Sequence, residues 1–62
     1  MRDPKRIKKV MELVERIWNV FPDWRFGQLV KIVEAISDVD IFYVEDDEMI
    51  RILKEVEKNL DN

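Results

Sequence analysis

The chain contains no cysteine and no histidine, and it has a single glycine and two prolines. Disulfides, thiolate–zinc sites and imidazole ligands are therefore excluded. The same absences remove the usual nucleophiles and general bases, and no base is recognisable beside Ser37, the only serine. We expect a protein that is not an enzyme and that holds no metal or other cofactor.

Long apolar runs are missing as well. No apolar stretch approaches the ~20 residues that a membrane span requires. The basic N-terminus lacks the uninterrupted apolar region and the small-residue cleavage site of a signal peptide. The sequence predicts a soluble, cytoplasmic protein without a membrane partner.

The chain has 62 residues, of which 47% are hydrophobic and 40% charged. It is expected to form one domain, 1–62, and to bury only about 60% of the surface that its unfolded form exposes. Small domains usually add disulfides, a metal or a partner chain. Stability must therefore come from packing, helix chemistry or self-association, and we expect a homodimer. The abundance of Val, Ile, Lys and Glu resembles the composition of thermophile proteins.

The first predicted helix begins at Asp3-Pro4, because Asp is a good N-cap and Pro fits the first helical position. Glu12 and Arg16 are spaced for an ion pair. Pro22 ends the helix. The apolar residues form one stripe of roughly 120°, typical of a core-facing helix: Ile7, Val10, Met11, Val14, Ile17, Trp18 and Phe21.

A second helix is predicted from Trp24 to about Ile36, with Asp23 as its cap. The very short connection implies an abrupt corner. Gly27 lies away from the apolar face, where glycine costs up to ~1 kcal/mol relative to Ala. That cost suggests a close approach to its backbone, by the Trp24 indole or by the third helix. The apolar face comprises Phe26, Leu29, Val30, Ile32, Val33 and Ile36.

Residues 37–45 break the helical pattern and alternate with a period of two, which predicts a packed extended loop. Asp46 is predicted to cap a third helix, with acidic residues in its first turn. Asp47–Arg51 and Arg51–Glu55 have the spacing of ion pairs. The third apolar stripe comprises Met49, Ile52, Leu53, Val56 and Leu60.

Together these segments predict an all-α fold, a compact orthogonal bundle of three helices with a packed extended loop between helices two and three. The side chains expected to be largely buried are Ile7, Val14, Trp18, Leu29, Val33, Leu53 and Val56.

Charge is distributed unevenly along the chain. Residues 34–48 contain seven acids and no base, whereas residues 1–16 have a net charge of +3. The acidic stretch does not match a calcium loop, because Tyr43 stands where that loop requires glycine. A looser divalent-ion site formed by Glu45, Asp46, Asp47 and Glu48 stays open as an alternative to their role as helix-capping acids. The separation of charge favours self-association, or attraction of a charged partner, unless the two regions pair within one molecule.

Two boxes, Pro-Asp-x-Arg-Phe-Gly-Gln-Leu at 22–29 and Phe-Tyr-x-Glu-Asp-Asp at 42–47, follow an Asp-Pro-x-Arg-Ile start at 3–7. In these features the chain resembles a small uncharacterised family of bacterial and phage-associated proteins. The resemblance spans most of the chain, although the relatives carry a longer insertion between the boxes. It implies no known activity.

The candidate partner-binding residues lie in or beside these boxes: Trp24, Arg25, Gln28, Phe42, Tyr43, Asp46 and Asp47. Trp, Tyr and Arg are the residues that dominate interface hot spots. Each has a structural alternative. Trp24 could pack on Gly27, Phe42 and Tyr43 could plug the core, and Arg25 could pair with Asp46.

The sequence predicts a non-enzymatic protein–protein interaction module that binds a protein partner or a second copy of itself. The alternative is a small nucleic-acid-associated protein. Its basic first helix could contact phosphates through Lys5, Lys8, Lys9 and Arg16. The second helix offers few residues for reading bases: Arg25, Gln28 and Lys31.

Overall fold

The computed structural model describes residues 2–60, which form three α-helices: α1 (Lys5–Val20), α2 (Phe26–Ser37) and α3 (Asp46–Leu60). A 3₁₀ turn, Ile41–Tyr43, lies between α2 and α3. The predicted all-α three-helix fold is confirmed. Residues 1, 61 and 62 of the predicted domain 1–62 lie outside the described residues. No helix in the described part is both long and apolar enough to cross a bilayer.

The start of α1 is closed by Asp3, as the sequence predicts. Its Oδ1 accepts a hydrogen bond from the Lys5 N–H at 2.9 Å, and its carbonyl oxygen accepts one from the Arg6 N–H at 3.2 Å. Pro4 has helical backbone angles, with φ −64°, so its missing N–H removes a donor that would have no partner there. At the other end, the helix stops two residues before Pro22.

Helices α1 and α3 are parallel neighbours. Arg6 pairs with Asp46 near their N-terminal ends, and Arg16 Nε donates to Glu57 Oε2 at 2.6 Å near the C-terminal end of α3. The two pairs join residues about 40 positions apart, so both helices run in the same direction. α2 also packs against α3 rather than closely against α1.

The core is formed by seven apolar side chains contributed by all three helices, and no polar side chain among the described residues is buried with them. The seven are Leu13, Ile17, Leu29, Val33, Ile52, Leu53 and Val56.

The predicted core was wrong in part on α1. Ile7 is 56% exposed, whereas Leu13, which lies outside the predicted stripe, is fully buried; Val14 and Trp18 are partly buried and pack against the core as predicted. The reason is where α3 lies. Leu13 and Ile17 share one apolar cluster with Ile52, Leu53 and Val56 of α3, whereas Ile7 is not part of that cluster.

The joint between α1 and α2 is longer than predicted, because α2 begins at Phe26 rather than at Trp24. The side chain of Gln28 accepts a hydrogen bond from the Arg25 N–H at 2.8 Å. Gln28 therefore closes the start of α2, and the prediction that Asp23 caps this helix was wrong.

The prediction of a close approach at Gly27 was also wrong. A Cβ atom built on this residue would meet no heavy atom within 4 Å, and its φ is not positive. Neither a close contact nor a positive φ therefore explains why this residue is glycine.

α3 begins one residue earlier than predicted, because Glu45 rather than Asp46 is its capping residue. The Glu45 carbonyl accepts the first helical hydrogen bond, from the Met49 N–H at 2.9 Å, so Asp46 is the first helical residue and not the cap. Asp46, Asp47 and Glu48 all lie in the first turn, where carboxylates stabilise the positive end of the helix dipole.

Candidate functional site

The joint between α2 and α3 projects two aromatic rings. It starts at Asp38, the one described non-glycine residue with a positive φ, at 57°. Asp tolerates this left-handed conformation better than most residues. The Asp38 N–H still donates to the Glu34 carbonyl at 2.9 Å, which terminates α2 and turns the chain sharply.

Two carboxylates then fix the 3₁₀ turn. Asp40 Oδ1 accepts a hydrogen bond from the Phe42 N–H at 3.1 Å, and Glu34 Oε2 accepts one from the Ile41 N–H at 3.2 Å. Both backbone donors at the start of the turn are therefore satisfied by side chains. The prediction of an extended conformation holds at Asp40 and Val44 but not for the three residues between them.

Phe42 and Tyr43 do not plug the core. Their exposed fractions are 83% and 78%, and their rings meet edge to face with centroids 4.9 Å apart. The apolar contacts of this joint are made instead by Val44, which packs against the core, and by Ile41, which lines a hollow together with side chains of all three helices. We call Phe42 and Tyr43 the aromatic pair.

The seven acids of residues 34–48 divide into two sets. Four are paired with a base: Glu34 with Lys31, Glu45 with Arg2, Asp46 with Arg6 and Glu48 with Arg51. The other three have no ion pair within residues 2–60: Asp38, Asp40 and Asp47. Three carboxylates of the acidic stretch that contains the aromatic pair therefore have no ion-pair partner among residues 2–60, although Lys31 lines the same hollow as Asp38 and Asp40.

The other three predicted binding residues lie at the opposite end of α2. The Trp24 ring stacks on the Phe21 ring with centroids 4.5 Å apart. The backbone carbonyl of Trp24 accepts a hydrogen bond from Trp18 Nε1 at 2.7 Å. Gln28 is engaged in closing α2. A helix of twelve residues is about 18 Å long, so Trp24, Arg25 and Gln28 do not share a patch with the aromatic pair.

The predicted ion pair between Arg25 and Asp46 is not formed. Asp46 pairs with Arg6 of α1, and Glu45 pairs with Arg2 at 2.5 Å. Among residues 2–60, Arg25 makes no ion pair. The acidic and basic regions thus pair within one molecule at two positions. These ion pairs partly neutralise the two charged regions that the sequence shows.

The shifted pKa values all belong to residues of α3. Hydrogen bonds from Arg51 hold the pKa of Glu48 below its ordinary value, and those from Arg16 do the same for Glu57. In return, Glu48 raises the pKa of Arg51. Each shift belongs to an ion pair that keeps both partners charged. Within residues 2–60, no group of three acidic side chains is arranged to hold a metal ion.

Sequence reasoning missed a groove between α1 and α2. Two adjoining hollows share Met11, Val14 and Phe26. The inner one, of about 180 Å³, is lined only by apolar side chains, and the outer one, of about 480 Å³, opens beside Glu15 and Trp18. The signal available in the sequence was the edge of the apolar stripe of α1, but whether that edge is exposed depends on where α2 packs.

Comparison with known proteins finds no matching family model, no matching curated protein and no matching solved structure. The family resemblance of the two boxes stays a prediction.

Proposed function

We propose that this protein is a non-enzymatic protein–protein interaction module, and that the aromatic pair is its partner-binding centre. The observation that supports this most is the exposure of Phe42 and Tyr43, at 83% and 78%. Large aromatic side chains are enriched at binding hot spots, where they contribute much of the binding free energy.

The construction of the turn strengthens the argument. The carboxylates of Asp40 and Glu34 accept hydrogen bonds from the backbone N–H groups of the turn, which hold the backbone beneath the rings, so the rings are presented in one place. A preorganised contact loses less conformational entropy on binding than a mobile one. The fold itself gains little from the rings, because neither packs against the core.

The charges near the aromatic pair indicate the chemistry of the partner. Asp38, Asp40 and Asp47 have no ion pair within the described residues, so a partner with Lys or Arg around an apolar contact would be attracted. Such steering raises the association rate and weakens with salt. We infer that the partner is a protein of this kind and that the encounter takes place in the cytoplasm.

The nucleic-acid alternative receives less support. Arg2, Arg6 and Arg16 each pair with a carboxylate of the same chain, so part of the basic surface near α1 is already neutralised. Tight binders typically make six to ten phosphate contacts. The remaining lysines of α1 fall short of that number, and we keep nucleic acid only as an outcome of the test.

Affinity capture from a lysate of the encoding organism tests the proposal, with the wild-type chain compared with the double variant Phe42→Ala/Tyr43→Ala. The control is Phe21→Ala, which removes an exposed aromatic ring at the other end of α2. The double variant should stay folded, since changes at exposed sites usually alter stability by less than about 0.5 kcal/mol.

We expect the wild type and Phe21→Ala to retain the same nuclease-resistant protein, in amounts that fall as salt rises, and the double variant to lose it. Retention of that protein by the double variant would contradict the proposal. Capture of nucleic acid alone would favour the alternative.

A further inference from the structure

The groove between α1 and α2 leaves apolar side chains without cover. Met11 and Phe26 line both of its hollows, and their side chains are 51% and 49% exposed. Ile7 continues the same edge of α1. Partly exposed side chains of this size gain roughly 25 cal/mol for every Å² that a partner removes from water.

One row of side chains along the groove carries opposite charges at its two ends. Lys8, Met11 and Glu15 are spaced three and four residues apart, so they lie on one face of α1. Glu15 lines the outer hollow. Lys8 and Glu15 are both exposed, and neither has an ion pair within residues 2–60.

We propose that a second copy of this chain occupies the groove, with the two α1 helices antiparallel about a two-fold axis beside Met11 and Glu12. In that arrangement residue 8 of one copy faces residue 15 of the other, so Lys8 meets Glu15 twice. A two-fold interface uses the same patch on both copies. The axis lies near the middle of α1, so most of the helix takes part.

The charge pattern selects the antiparallel orientation. From Lys5 to Val10, α1 carries only basic charge, whereas the acids Glu12 and Glu15 follow from its middle onward, together with Arg16, which pairs with Glu57 of α3. A parallel pair would place the two basic segments together, which is unfavourable, and an antiparallel pair places each basic segment beside the one that contains Glu12 and Glu15. The aromatic pair does not line this groove, so the inference goes beyond the proposed function and does not rest on it.

The first experiment measures molar mass by sedimentation equilibrium from about 1 μM to about 1 mM, because interfaces of standard size reach affinities of micromolar or tighter. The wild type should approach twice the 7.6 kDa of one chain. Met11→Glu should stay a monomer throughout. The matched control is Ile36→Glu, at a position that is 50% exposed on another face, and it should behave like the wild type.

A second experiment uses charge reversal, which leaves the apolar groove intact. At low ionic strength Lys8→Glu and Glu15→Lys should each weaken self-association by about tenfold, since two exposed ion pairs are replaced by two like-charge contacts. An equimolar mixture of the two variants should restore the dimer, because each acidic row then meets a basic one. Lys54→Glu, on α3, should have no such effect.

A wild-type chain that remains a monomer at every concentration would overturn the proposal. So would a dimer that Met11→Glu leaves unchanged, or charge variants that fail to recover when mixed. The last result would exclude the antiparallel orientation even if a dimer exists.

Discussion

Truncating Leu13 should be far more damaging than truncating a similar residue at the surface. The Leu13 side chain is fully buried. Leu13→Ala removes three carbons at about 0.8 kcal/mol each and leaves a cavity, so the expected cost is about 3–5 kcal/mol. A chain of 62 residues has a total stability of about 3–9 kcal/mol, so the variant should lose between about a third and all of its free energy of unfolding.

The matched control is Ile36→Ala, at a residue of similar size that is 50% exposed. Its cost should be about 1 kcal/mol or less, because half of the side chain is already in water. Urea unfolding followed by far-ultraviolet circular dichroism measures both, at a protein concentration low enough to avoid self-association. Equal losses in the two variants would refute the assignment of Leu13 to the core.

Three further predictions concern the helix ends and the ion pairs. Gly27→Ala should stabilise the protein by roughly 0.5 kcal/mol, since the added Cβ meets no atom and the unfolded chain loses freedom; a lower urea midpoint would contradict this. Reversing both charges of the Arg6–Asp46 pair should restore most of the stability lost on reversing either, with a coupling of about 0.5–1 kcal/mol in a double-mutant cycle; no coupling would count against the pair. Because Arg16 lowers the pKa of Glu57, the ion pair stabilises the fold at pH values above the ordinary carboxyl pKa, and that stabilisation is lost as the pH falls through the lowered pKa of Glu57. Arg16→Gln should therefore make the loss of stability on acidification less steep. An unchanged dependence of stability on pH would argue against this role of the pair.

The helices could be predicted from the sequence because their signals are local. Asp3 and Pro4 act within one turn, and Pro22 limits α1 through its effect on neighbouring backbone. The apolar stripes correctly identified Leu53 and Val56 of α3 as buried. Periodicity gives the direction of an apolar face, which is enough to establish an all-α fold.

What periodicity cannot give is which part of a wide apolar face meets another helix. The burial of Leu13 and the exposure of Ile7 both follow from the position of α3, whose contacts lie 40 residues further along the chain. The position of α3 also decides which charged residues form ion pairs. Arg16 pairs with Glu57 across helices, and Asp46 pairs with Arg6 rather than with Arg25.

The candidate site was partly predictable. The sequence drew attention to Phe42 and Tyr43 because acids surround them, but it left open whether the rings are buried or exposed. That depends on the turn that Asp40 and Glu34 hold together, and on Ile41 making the apolar contact instead. Their role in binding remains the proposal to be tested.

Site-specific photo-crosslinking in the encoding organism tests that proposal most directly. A photoreactive phenylalanine analogue in place of Tyr43 should form a covalent adduct with a different protein, whereas the same analogue in place of Phe21 should not form that adduct. An adduct between two copies of this chain at Tyr43, or no adduct at all, would contradict the assignment of the aromatic pair as the partner-binding centre.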